Sequence, residues 1–416
     1  MKRISALSIT AVLAIIALVP AAWALTGQEP HPPTSLEIPF LEREPFGARW
    51  TAMGGAAIGA IDDGSAFAIN PAGLGRIRRI EFLGTLQKQS YDVDANWFGK
   101  PTSSSISTTT LRELTLSFPF PTYRGSLVFS GSMSRRNVFD AFTVRSGFDP
   151  ALDATRTDRE ERSGMLTSWG AGISAQVSPQ AFVGLEGHGF TGSLDTKDEW
   201  SDWFGCNNAV FSSNTDLGGY GGSVGMQYQP IPLVGIGAVL KSPERVTLKG
   251  DLHQPVFVGE GAGVCEDREF SVDDEATLPY SMGVGISLAP ANLLVNFDVV
   301  YTDWHELKYQ GRVRDPNTGA YLYDPTTDLH IGVEYAFGQI PFRLRAGYAR
   351  VPLEFKWFDV TKNRSSYSLG AGTVVESAVG FDVAWQRTSF ERKSVGDDYS
   401  EERTIDRVVL TVAYRF

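Results

Sequence analysis

The chain has 416 residues and a formal net charge of −11, and it contains 9 Trp, 14 Tyr and 25 Phe. An acidic chain without a basic stripe argues against nucleic acid as a partner. Its mean hydropathy of −0.12 fits a soluble protein and equally a transmembrane β-barrel, in which polar lumen-facing residues and loops offset the lipid-facing residues.

Residues 1–24 have the features of a secretory signal peptide. Lys2 and Arg3 give a positive start, residues 4–19 are mostly apolar, and Ala-Trp-Ala at 22–24 supplies a small-residue cleavage site. The mature chain is therefore expected to begin at Leu25. Beyond that point no apolar run reaches the roughly 18 residues that a membrane-spanning helix needs.

Residues 25–79 precede the first predicted strand. Their stretch MGGAAIGAIDDGSAFAINPAGLG (53–75) contains no Lys or Arg and carries Asp62 and Asp63 at its centre. A membrane helix would leave these carboxylates unpaired in hydrocarbon, and the spacing of a phosphate-binding loop is missing. The stretch is too apolar for a flexible linker. We therefore expect a compact segment that plugs a wider structure.

Residues 80–416 alternate between apolar and small or polar side chains with a period of two. In RVVLTVAYRF (407–416) every second residue from Val408 to Phe416 is apolar, and NLLVNFDVVYTDW (292–304) and DLHIGVEYAF (328–337) follow the same pattern. The second face mixes charge with Gly, Ser and Ala, as the crowded lumen of a barrel would. A terminal Phe resembles the signal that outer-membrane barrels present to the barrel assembly machinery, which is an expected partner.

The connections between these strands alternate strictly in length. Short connections are predicted at 119–124, 178–180, 230–232, 289–292, 338–340 and 376–377. Long polar connections are predicted near 90–110, 135–163, 193–217, 251–274, 303–325, 352–365 and 393–402. Tight periplasmic turns and long external loops are typical of outer-membrane barrels. The prediction is an all-β fold, a 14-stranded antiparallel transmembrane β-barrel over 80–416, with an N-terminal extension and hatch (plug) at 25–79 inside its lumen.

Four stretches resemble one family. GARWTAMGGAAIGAIDDGSAFAINPAGLG (47–75) is similar to the hatch of the FadL/TodX-type outer-membrane transporters of hydrophobic compounds, whose hallmark is Asn-Pro-Ala after an acidic and small-residue stretch. LKSPERVTLKGD (240–251), LPYSMGVGIS (278–287) and DVVYTDWHELK (298–308) resemble strand motifs of that family in the same order. The resemblance implies fourteen strands and passive transport of long-chain fatty acids or other hydrophobic small molecules, which leave sideways into the membrane through a gap beside the hatch.

Candidate site residues fall into three groups. The hatch group is Asp62, Asp63, Phe67, Ile69, Asn70 and Pro71; the lumen ionic lining is Glu186, His188, Asp298, Glu334, Arg343, Arg345 and Asp382; the external groove is Trp97, Phe98, Trp200, Trp203 and Trp304. Asn and Pro are expected to fix the hatch geometry, and the two hatch aspartates either pair with lumen arginines or stay solvated. The ionic lining is expected to hold the hatch, with contact between an arginine and a substrate carboxylate as the alternative.

Cys206 and Cys265 fall in the third and fourth external loops, where an oxidising compartment favours a disulfide over two free thiols. No cofactor, metal site or catalytic residue is predicted, and the protein is not expected to be an enzyme. The expected partners are a hydrophobic small molecule and the lipid and lipopolysaccharide of the bacterial outer membrane around a monomer. The alternative function is protein secretion or surface attachment, because the hatch also resembles that of related secretion-shuttle barrels.

Overall fold

The computed structural model describes residues 46–150, 153–203, 206–258, 264–309, 321–354, 359–393 and 399–416. Its first part, residues 46–80, is called the inner segment below. The inner segment holds α1 (Ala48–Ala52), α2 (Ala66–Ile69) and a 3-10 helix (Pro71–Arg76). The predicted signal peptide lies outside the described residues. None of the helices in the described ranges has the length and apolar character needed to cross a membrane.

Eighteen strand segments follow within the described residues. They are β1 (Glu81–Trp97), β2 (Lys100–Phe120), β3 (Leu127–Val138), β4 (Ala141–Asp149), β5 (Ala154–Ser178), β6 (Ala181–Trp203), β7 (Cys206–Ile231), β8 (Val234–Lys241), β9 (Glu244–Val258), β10 (Val264–Leu278), β11 (Ser281–Leu288), β12 (Leu293–Thr302), β13 (Lys308–Tyr309), β14 (Thr326–Ala336), β15 (Phe342–Val351), β16 (Asp359–Val375), β17 (Val379–Lys393) and β18 (Tyr399–Arg415). A further 3-10 helix (Trp304–Glu306) precedes β13.

The segments form one closed antiparallel barrel of fourteen strands, as the sequence predicted. β1 pairs with both β2 and β18, and its residue Trp97 lies opposite Tyr399 of β18. Three barrel strands each consist of two segments, β3 with β4, β8 with β9, and β10 with β11, because breaks of two residues interrupt them. The short β13 pairs with β10. Antiparallel pairing of the first barrel strand with the last closes the sheet, as a membrane-spanning sheet requires.

The short turns lie where the sequence predicted them, whereas the prediction of long loops is wrong over 90–110 and 193–217, and also over most of 135–163 and 251–274, which β4, β5, β9 and β10 occupy. β1 and β2 run on through the first stretch, and only Phe98 and Gly99 separate them. β6 and β7 likewise extend through the second stretch. Thr has a high strand propensity, and each of these stretches pairs with its neighbouring strand, so polar sequence here continues the ladder. The end of the barrel that carries these long hairpins is called the external end.

The two faces of each strand differ in burial, as the alternation predicts. On β18, Val408 and Leu410 are 48% and 44% exposed on the outer face, whereas Val409 between them is 1% exposed in the lumen. Thr411, the next lumen-facing residue, is 4% exposed. The outer face is therefore a surface for lipid, and the lumen is filled.

The inner segment fills the lumen. Its own apolar core contains Trp50, Met53, Ile61, Phe67 and Leu74. Glycines in the wall allow its backbone to approach closely: a Cβ at position 237 would collide with the Ile58 carbonyl, and one at position 184 would collide with the Pro71 carbonyl. A position without Cβ permits such contact of backbone with backbone. The wall and the inner segment therefore fit each other at the level of main-chain atoms.

Candidate functional site

Carboxylates from four barrel strands hold the inner segment. Asp298 of β12 accepts hydrogen bonds from the backbone amides of Ala57 at 2.6 Å and Ile58 at 2.8 Å. Glu81 of β1 accepts one from the amide of Gly64 at 2.8 Å. Both carboxylates are 1% exposed. Leaving a buried acceptor without its donor is costly, so these contacts fix the position of the segment.

Glu113 and Glu334 complete this set. Glu113 of β2 accepts a hydrogen bond from the Ser65 hydroxyl at 3.1 Å, and Glu334 of β14 accepts one from Arg49 Nε at 3.0 Å. Arg49 Nη1 also lies 2.6 Å from Asp62 Oδ1. Asp62 therefore pairs with an arginine of the inner segment and not with one of the barrel wall.

Asp63 is neither solvated nor paired with an arginine of the barrel wall, so neither of the two alternatives predicted for it is observed. Its two oxygens accept hydrogen bonds from Trp50 Nε1 at 3.1 Å and 2.9 Å, and its Oδ1 accepts another from the Ser65 amide at 3.1 Å. Burial raises the pKa of Asp63 to about 7. Asp63 therefore crosslinks α1 to the turn before α2 within the inner segment.

Four residues of the predicted ionic lining come together in the structure: Glu334 on β14, Arg343 and Arg345 on β15, and Asp382 on β17. Arg345 lies between Glu334 and Asp382, at 2.6 Å from each carboxylate, and Arg343 Nη1 lies 3.6 Å from Glu334. Direct pairing of β14 with β15 brings residue 334 opposite residue 345. Of the two aspartates predicted as alternative partners, Asp382 pairs with Arg345, whereas Asp298 accepts hydrogen bonds from the backbone amides of the inner segment.

Asn70 ties the end of the inner segment to the wall. Its Nδ2 donates to the carbonyl of Ile58 at 2.8 Å and to that of Met226 on β7 at 3.2 Å. Its Oδ1 accepts from the Ala72 amide at 3.2 Å, and Pro71 is the first residue of the 3-10 helix. An Asn N-cap followed by Pro is a favourable start for a helix, so the Asn-Pro-Ala sequence has a direct structural role here.

A cavity of about 240 Å³ lies between the inner segment and the external end. Phe67 and Ile69 contribute to it from the inner segment. Its wall carries His188, whose Nδ1 lies 2.9 Å from Glu186 and whose Nε2 lies 3.4 Å from Glu244. The predicted pair on β6 therefore lies at the cavity, in contact with a third residue that the sequence did not single out.

Two cations complete the polar side of this cavity. Arg136 of β3 donates to both oxygens of Glu244 at 3.0 Å and 2.8 Å, and its Nη1 lies 3.3 Å from His188. Lys241 donates to the carbonyl of Ala68 in the inner segment at 2.9 Å. Arg136, Lys241 and Glu244 occupy lumen-facing positions on three different segments, and only the closed barrel brings them together.

An apolar cluster lies in the lumen toward the external end. Its buried members are Phe139, Leu166, Phe190, Leu217, Val246, Leu248, Ala276, Leu278, Trp304, Leu307, Leu322 and Tyr323. Trp304 also lines the cavity, and the guanidinium of Arg136 lies 5.0 Å from the ring centre of Phe190. The cluster therefore leads directly to the polar cavity above the inner segment.

Comparison with known proteins rests on structure, because no protein-family model and no curated protein matches this sequence. The chain is similar to a Pseudomonas aeruginosa FadL homologue at 16% identity, with 88% of this chain and 98% of that chain covered and a TM-score of 0.63. It is similar to the Pseudomonas putida toluene transporter TodX at 14% identity, with 90% of this chain and 99% of that chain covered and a TM-score of 0.65. It is similar to the Ralstonia pickettii toluene transporter TbuX at 16% identity, with 90% of this chain and 99% of that chain covered and a TM-score of 0.61. The chain has the FadL-type outer-membrane β-barrel fold.

The wall of this FadL-type barrel is interrupted at its third strand. β3 ends at Val138 and β4 begins at Ala141. Backbone pairing of β2 with β3 reaches only Glu113 opposite Ser134, and the pairing of β3 with β5 shifts register after Arg135. Beyond this point side chains connect the two strands; for example, Thr108 Oγ1 donates to Asp140 Oδ2 at 2.5 Å. Backbone pairing between these two strands is therefore absent over this part of the described wall.

The external groove predicted from aromatic residues is not formed as expected. Trp97, Trp200 and Trp304 are only 1%, 9% and 7% exposed, and they belong to three separate apolar clusters. Phe98 stacks on Trp97 with ring centres 5.2 Å apart, and the side chain of Trp203 lies outside the described residues. Trp97 and Trp200 pack within the extended hairpins and against neighbouring strands, and Trp304 packs in the lumen cluster, so these rings do not line one groove.

Cys265 of β10 is disulfide-bonded, and it packs beside Trp200 and Phe211 of the neighbouring hairpin. The side chain of Cys206, the other cysteine of the chain, lies outside the described residues. Within the described part of the chain, no group of three or more His, Cys, Asp and Glu side chains is arranged to hold a metal ion.

Proposed function

We propose that this FadL-type barrel transports hydrophobic small molecules passively across the bacterial outer membrane. The observation that carries the proposal is the apolar lumen cluster, which joins the external end to the cavity above the inner segment. Apolar side chains inside a lumen favour a ligand that gains roughly 0.8 kcal/mol for each buried CH₂ group. An open porin would instead keep a polar, water-filled lumen.

The polar end of the cavity favours a ligand with an acidic headgroup, such as a long-chain fatty acid. Arg136, His188 and Lys241 line the same cavity, and charge-assisted hydrogen bonds to a carboxylate are the strong ones. Glu244 pairs with Arg136, and Glu186 pairs with His188. A bound carboxylate would take over part of that pairing.

Release is proposed to occur sideways through the wall. The interruption between β2 and the third barrel strand offers a place where few backbone hydrogen bonds must break. Phe139, which lies at the interruption, belongs to the apolar lumen cluster. A ligand leaving there would pass from apolar side chains into the hydrocarbon without crossing the polar lumen below.

The experiment is native mass spectrometry of the protein purified in mild detergent, with oleate as the added ligand. Leu217→Gln places an amide in the apolar cluster and is expected to weaken oleate retention about tenfold or more, since burying an unpaired amide costs roughly 1–3 kcal/mol. Thr215→Gln is the matched control, because Thr215 lies on the same strand and lumen face but outside the cluster. Equal retention by both variants, or none by the wild type, would contradict the proposal.

A further inference from the structure

The outer face of the barrel carries a concavity of about 570 Å³ near its external end. Trp169, Gly189, Tyr220 and Arg245 form one row across it, because the register places each opposite the next on β5, β6, β7 and β9. Thr247 lies on its external edge. This row is distinct from the lumen cavity described above.

The concavity faces the membrane. Trp169 and Tyr220 are 57% and 62% exposed, and the same outer faces continue toward the other end with Leu185 and Val224, which are 56% and 50% exposed. Exposed aromatic rings at the end of an apolar surface are typical of the boundary between hydrocarbon and headgroups. The concavity therefore lies where the external leaflet meets the barrel.

Its depth comes from missing side chains. Gly189 stands between the two large rings, so the row has a gap that reaches the strand backbone, behind which Phe190 packs in the lumen. Backbone pairing of β6 with β7 runs without a register shift from Ala181 to Trp200. The wall is closed at this point, so an occupant must come from the membrane side.

We propose that this concavity binds an acyl chain of an outer-leaflet lipid, between the rings of Trp169 and Tyr220. The lining is mostly apolar, and its membrane end is continuous with the lipid-facing surface. At the β9 end of the row, the guanidinium of Arg245 pairs with Glu275, and a guanidinium beside an apolar trough suits an anionic headgroup. This site is independent of the transport proposed above.

The test replaces Gly189 by Leu. A Cβ at this position would meet only the Gly219 carbonyl, at 3.7 Å, so the backbone tolerates the change while the side chain fills the trough. Gly131→Leu is the matched control, because Gly131 is exposed on β3 and a Cβ there has no neighbour within 4 Å. Lipid A is the probe, added to the detergent-purified protein and followed by native mass spectrometry.

Excluding about two CH₂ groups should weaken lipid A binding about tenfold in Gly189→Leu, with less than a twofold change in Gly131→Leu. Equal binding by both variants, or competition by inorganic phosphate alone, would overturn the proposal. Quenching of tryptophan fluorescence by brominated phospholipid provides a second measurement on the native sequence. Trp169→Phe is expected to reduce the quenched fraction of the tryptophan fluorescence. An unchanged quenched fraction would contradict an acyl chain bound beside this ring.

Discussion

At the scale of single residues, Asp63 links the packing of the inner segment to pH. Burial raises its pKa from 3.8 to about 7, against the opposing effect of Arg49 and with a further rise from Asp62 and Glu81. The protonated form is thus favoured in the packed state. Packing is most stable below about pH 4, where Asp63 is protonated in both states, and it weakens as the pH rises through about 7.

Hydrogen exchange of the inner-segment amides at pH 5 and pH 8, corrected for intrinsic rates, measures this effect. Wild-type protection should be lower at pH 8. Asp63→Asn retains an oxygen acceptor for Trp50 Nε1 but does not titrate, so the difference in protection between the two pH values should be smaller than in the wild type. A wild type with equal protection at the two values, or an Asn variant with the full wild-type pH dependence, would contradict the role assigned to Asp63.

At the scale of elements, the fit between β8 and the inner segment depends on Gly237. A Cβ there would collide with the Ile58 carbonyl, a main-chain atom that no rotamer change can move. Overpacking of this kind costs roughly 1–3 kcal/mol, which shifts an equilibrium about 5- to 150-fold. Gly237→Ala should therefore raise the frequency of conducting events in planar bilayers by at least about fivefold.

Gly187→Ala serves as the control for that recording, because a Cβ at Gly187 meets no atom within 4 Å. Its conductance should match the nearly silent wild type, whose lumen the inner segment fills. If Gly237→Ala conducts no more often than this control, the close approach of β8 and the inner segment does not keep the lumen closed.

The elements themselves could be predicted from sequence, and their lengths could not. The alternation at 407–416 indicates which face of the last strand is apolar. The turn residues at 289–292 indicate where the chain reverses direction. The Ser- and Thr-rich stretch near 100–110 has no apolar face, so periodicity gives no signal there, and only cross-strand pairing keeps it extended. The same pairing buries Trp97 and Trp200, which a loop would have exposed.

At the scale of the whole molecule, the lumen site depends on contacts between residues far apart in sequence. Pairing of neighbouring strands made the contact of Glu334 with Arg345 predictable. Arg136 and Glu244 come from strands that are not neighbours, and nothing in the sequence specifies how the barrel cross-section sets their distance. The inner segment could be identified by composition, but its docking on Asp298 and Glu81 depends on which wall each turn of the segment meets.

The route of release is also a property of the whole barrel, and it can be tested by locking the wall. Thr108 and Asp140 lie in contact across the interruption of the third strand, so a short bifunctional thiol reagent should link the variant Thr108→Cys/Asp140→Cys. If ligand leaves sideways here, this link should reduce fatty acid uptake at least about tenfold. A control link between positions 196 and 213, whose hydroxyls lie 2.7 Å apart on the regularly paired β6 and β7, should leave uptake unchanged. Undiminished uptake with the first link closed would require the ligand to travel along the barrel axis past a displaced inner segment.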